Sequence, residues 1–81
     1  MAARDESDFN KQAFLRKLGT HIGKVCQAQG YSGDRVNLEA GFSSGTMSKI
    51  VSGLVDPKAT TLARIAETIG VPLSKLTEFR K

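Results

Sequence analysis

The chain has no tryptophan, one histidine, one cysteine and two prolines. A single cysteine, Cys26, excludes an internal disulfide and any zinc site built on cysteines. One histidine, His21, leaves too few bases and ligands for most elaborate active sites, so an enzyme is the least expected class, and no cofactor or metal is implied. Ser43-Ser44-Gly45 is not a nucleophile elbow, because no strand pattern precedes it and no base stands nearby. No apolar run reaches signal-peptide or membrane-span length, which argues against secretion by that route and against a membrane span. No stretch alternates apolar and polar residues with a period of two, so no strand is expected. With its lone thiol, the chain is expected in the reducing cytoplasm.

What is present is enough for one small domain. Eighty-one residues, 40% of them hydrophobic and 25% charged, form an ordinary globular composition and not a disordered one. The formal net charge of +4 favours a polyanionic partner. Residues 1–8 are small and charged and read as an N-terminal arm, with the domain over 9–81.

Helical periodicity begins after the arm. Ser7 or Asp8 is a candidate cap. Phe9, Ala13, Phe14, Leu18, Ile22 and Val25 recur at helical spacing and predict a first helix over about 9–29, ended by Gly30. Gly19 and Gly23 weaken it or admit a close neighbour; the charged flanks exclude pairing in lipid. Ser32 is a cap for a second helix over about 33–40, with Asp34 in its first turn and Gly41 at its end. Ser43 is a cap for a third over about 44–52, carrying Met47 and Ile50. A fourth begins at Ala59 or Thr60 and buries Leu62, Ile65, Ala66 and Ile69. A short fifth, begun by Pro72 or Ser74, carries Leu73, Leu76 and Phe79. The fold class is therefore all-α, a compact domain of five helices.

Residues 33–52 have the spacing of a helix-turn-helix. Two short helices must cross through a turn of three or four residues, and the turn needs a residue that accepts a left-handed backbone. Gly41 supplies that residue. Val36, Ala40, Phe42, Met47 and Ile50 supply the apolar contacts that hold the crossing.

The chain resembles the helix-turn-helix family of phage Cro and repressor proteins, which includes restriction–modification controllers and many antitoxins. The likeness runs over about residues 18–77. It takes in Gly30-Tyr31-Ser32, the loop Gly53 to Pro57, and the run Thr61-Leu62…Ile65-Ala66…Ile69-Gly70-Val71-Pro72-Leu73…Leu76. It implies a repressor-like DNA-binding domain: a transcriptional regulator that binds double-stranded DNA as a homodimer on a palindromic operator. An antitoxin with a protein partner, or an interaction module that has lost DNA reading, is the alternative.

The same resemblance places the candidate DNA contacts at Ser43, Ser44, Gly45, Thr46, Ser48 and Lys49, with Lys17 and Lys24 on the neighbouring helix. Lys49 alone has long reach, to guanine O6/N7 or a phosphate. Four positions depart from the family, among them Ser44 and Gly45, which stand early in the recognition helix where Arg or Gln is frequent. Gly33 stands where Gln is usual, and Asn37 stands where a small Ala is usual. Asn37 must find a hydrogen-bond partner or widen the crossing, and Asn37→Ala is expected to preserve or raise stability. Leu54, Val55, Leu73, Leu76 and Phe79 exceed what one small core requires and are expected to form the dimer surface.

Overall fold

Asn10 opens the first helix in the computed structural model, which describes residues 9–79. The expected arm 1–8, with the candidate caps Ser7 and Asp8, lies outside the described residues. Helix α1 spans Lys11–Ala28, and the Asn10 side chain accepts the Ala13 N–H at 3.0 Å. That bond satisfies one of the orphan donors of the first turn. The helix buries Leu15, Leu18, Gly19, Ile22 and Cys26. The expected stripe was thus rotated: Phe9 precedes the helix, and both Phe9 and Phe14 are exposed, while Leu15 takes the core position. Burial raises the Cys26 thiol pKa and keeps it a neutral core group.

Four shorter helices follow. Helix α2 is Gly33–Ala40, α3 is Thr46–Val51, α4 is Ala59–Ile69 and α5 is Leu73–Thr77. The expected third helix was longer at both ends. No strand occurs among the described residues. The described residues are all-α, with five helices around one core.

Helix α1 packs across α3 and α5, α2 packs on α3 and α4, and α4 packs on α5. One residue from each helix is fully enclosed where they meet: Ile22, Val36, Met47, Ile65 and Leu76. Burying five such side chains contributes roughly 1.5–3 kcal/mol each before chain entropy is subtracted. The His21 Nε2–H donates to the Lys75 carbonyl at 2.7 Å and ties α1 to α5. The Gln12 side-chain amide donates to the Gly53 carbonyl at 3.0 Å and ties α1 to the end of α3. No helix among the described residues is long and apolar enough to cross a membrane.

Candidate nucleic-acid interface

The α2–turn–α3 unit is built from a few local choices. Ser32 caps α2 as its sequence suggests, accepting the Arg35 N–H at 3.2 Å. Asp34 sits in the first turn, where the helix dipole favours an anion. Arg35 and Glu39 then pair one turn apart at 2.8 Å. Gly41 ends α2 with φ 77°, the left-handed conformation the turn requires.

The start of α3 differs from expectation. Ser43 does not occupy the cap position. Its carbonyl accepts the Thr46 N–H at 3.1 Å, and Gly45, at φ 88°, is the N-cap with no side-chain bond. The missing cap is supplied from α2. The Asn37 Oδ1 accepts the Met47 N–H at 3.0 Å, ten residues away in sequence. Asn37 is only 7% exposed, and its own carbonyl accepts the Phe42 N–H at 2.8 Å. One residue therefore fastens the end of α2 and the beginning of α3. Asn37 has a partner, so the expectation that alanine would be neutral or better there is overturned.

Helix α3 sits close against α1 because Gly19 and Gly23 have no side chains. A Cβ at Gly19 would come within 2.6 Å of the Val51 carbonyl oxygen, and one at Gly23 within 3.3 Å of the Val51 Cγ1. The inward face of α3 is Met47 and Ile50, both buried. At 100° per residue, Lys49 then lies opposite Met47 and Ile50, with Thr46 and Ser48 flanking it. Ser43, Ser44, Ser48 and Lys49 are exposed, and Thr46 and Gly45 are half-buried. Among the described residues no carboxylate lies within salt-bridge distance of Lys17, Lys24 or Lys49.

A groove of about 630 Å³ joins α1 to this unit. Its walls include Thr20, Lys24 and Gln27 from α1, Ser32 and Gly33 at the start of α2, and Gly45 and Ser48. Lys24 is thus brought to the α2–α3 unit as expected. Lys17 is not: it lines only a different groove, with Phe14 and Phe79, which Lys24 lines as well. Lys17 and Lys24 lie two turns apart on the same face of α1, so both line that groove, whereas the 630 Å³ groove begins at Thr20 and takes in Lys24 alone of the two.

The expected dimer residues divide in the same way. Leu54 is 71% exposed, and Val55 and Leu73 also reach solvent. Leu76 does not. It is fully enclosed in the core of one copy and has no surface to offer another. Phe79 is half-buried against Phe14, at 5.5 Å between ring centres, and against His21 at 5.7 Å.

Two residues that matter to this site escaped the motif. Gly19 was legible only as an ambiguity, and Gln12 carried no signal, since its partner is 41 residues distant. No cluster of three or more metal-ligating side chains occurs among the described residues. No protein-family model matches the chain, and no curated protein matches it.

Proposed function

We propose that this chain is a sequence-specific DNA-binding regulator of transcription, related to the Cro and repressor proteins, that acts as a homodimer on a palindromic operator. The observation that carries the reading is the α2–turn–α3 unit. Its two helices are fixed to each other by Gly41 and by the Asn37 bond to the Met47 N–H. Its outer face offers two hydroxyls and an ammonium with no described carboxylate beside it. Short hydroxyls make few two-pronged base contacts, so phosphate contacts and DNA shape carry a large share of the recognition. Lys24 supplies a phosphate contact beside the unit; Lys17 is left out of it.

A pool of random duplexes tests the reading. Selected sites should show two symmetric half-sites about 34 Å apart, one helical turn. Failure to enrich any sequence, with little binding even at low salt, would point to an interaction module instead. Lys49→Ala is expected to weaken operator binding toward the lower end of about 1–3 kcal/mol, because an ammonium makes a point contact and not a two-pronged one. Titration against operator and random duplex checks this. Equal losses on both would make Lys49 a phosphate contact.

Two copies are required because one six-residue recognition helix reads few base pairs. The contact is assigned to the exposed Leu54, Val55 and Leu73. The double variant Leu54→Glu/Val55→Glu should sediment as a monomer with its helical signal intact. A persistent dimer would move the contact elsewhere.

A further inference from the structure

A second groove, of about 1130 Å³, is open along the other flank of α1. Phe14, Leu18, Leu62 and Phe79 are among its walls. Phe9 extends the apolar surface, since its ring lies 5.8 Å from that of Phe14. Phe9 is 58% exposed and Phe14 41%, so two aromatic rings reach water with nothing among the described residues to cover them. Small-molecule pockets are usually smaller, about 300–1,000 Å³, and more enclosed. An α-helix with its side chains is about 10–12 Å across and suits an open trough.

The electrostatics of the rim select the occupant. Lys17 and Lys24 line the groove, and the nearest acidic residue in its wall, Asp56, lies 4.0 Å from Lys11. The His21 Nε2–H is already bound to the Lys75 carbonyl. An apolar floor bordered by lysines matches a helix with an apolar stripe and carboxylates on either side. A second copy of this chain matches it poorly, because a two-fold contact there brings the same lysines to both sides of the same rim.

We propose that the groove between α1 and the end of α5 is a docking site for an acidic amphipathic helix of a partner protein. The site shares Lys24 with the DNA-binding reading but leaves the outer face of α3 clear. Gly19 and Gly23 hold α3 on one side of α1, whereas Phe14 and His21 face the groove on the other. A partner can therefore sit on α1 without covering the outer face of α3.

The test uses the full chain and two fluorescent peptides of roughly five helical turns. One has leucines at helical spacing flanked by glutamates; the other has lysines in place of the glutamates. Fluorescence anisotropy should show binding of the acidic peptide only, weakened by salt. Lys17→Glu, a surface change, should reduce that binding about ten-fold or more by reversing a rim charge. Phe14→Ser should reduce it too while the far-ultraviolet helical signal persists. No binding of the acidic peptide, equal binding of both peptides, or indifference to Lys17→Glu would overturn the proposal. So would a dimer that dissociates on Phe14→Ser, since a second copy would then fill the groove.

Discussion

Gly19→Ala is expected to destabilise the protein by about 3 kcal/mol or more, toward the upper end of the cost of overpacking a core. In isolation alanine is the better helix former, by about 0.8–1 kcal/mol, so propensity alone predicts the opposite sign. The packing decides. The added Cβ would lie 2.6 Å from the Val51 carbonyl oxygen and 2.8 Å from its carbon, with the Ile50 carbonyl oxygen nearer still. These are backbone atoms and cannot swing aside as a side chain would. The Ile50 carbonyl is further held by the Gly53 N–H at 3.1 Å. Relief requires α3 to withdraw from α1, which strips contacts from Met47 and Ile50. A domain of this size holds roughly 3–5 kcal/mol in total, so the variant stands near the edge of folding. Gly23→Ala is the control, because its Cβ meets only the Val51 side chain, at 3.3 Å. Urea midpoints of the two variants give the answer. Equal midpoints would mean that α1 and α3 are not this close.

The helix ends were legible where local chemistry sets them. Ser32 caps α2, and Gly41 and Gly70 end α2 and α4, because capping and a left-handed backbone are properties of single residues. The course of α1 was less so. Phe9 and Phe14 look like core residues by hydropathy, but Leu15 wins the inward position once Leu18 and Ile22 set the face. In the five-residue α5 the pattern is too short to phase at all: Leu73 faces water and Leu76 is enclosed. Within the candidate site, Thr46, Ser48 and Lys49 follow directly from the register of α3. The place of Lys17 does not: it lines a groove whose walls come from α1, the loop before α4, α4 itself and the end of α5, and of the two lysines only Lys24 reaches the α2–α3 unit as well.

The role of Asn37 was hidden for the same reason, and its replacement reverses an expectation. Asn37→Ala should lower stability by about 1–3 kcal/mol, the cost of leaving a buried donor without its acceptor. The donor is the Met47 N–H, in the first turn of α3, where no intrahelical acceptor exists. Gly45 has no side chain to replace the lost oxygen. Alanine does relieve volume at the α2–α3 crossing, but the crossing already accommodates asparagine, with no buried side-chain polar atom unsatisfied among the described residues. The lost bond therefore outweighs the relief. Hydrogen exchange at the Met47 amide gives a local measure, and it should quicken in Asn37→Ala well beyond the global change. Asn37→Asp keeps an acceptor and should slow that amide again. If the proposed function holds, freeing the start of α3 also blurs the orientation of Thr46, Ser48 and Lys49. Operator binding by Asn37→Ala should then fall more than binding to random duplex, which depends mainly on charge. An unchanged urea midpoint together with an unchanged Met47 amide would remove Asn37 from this role.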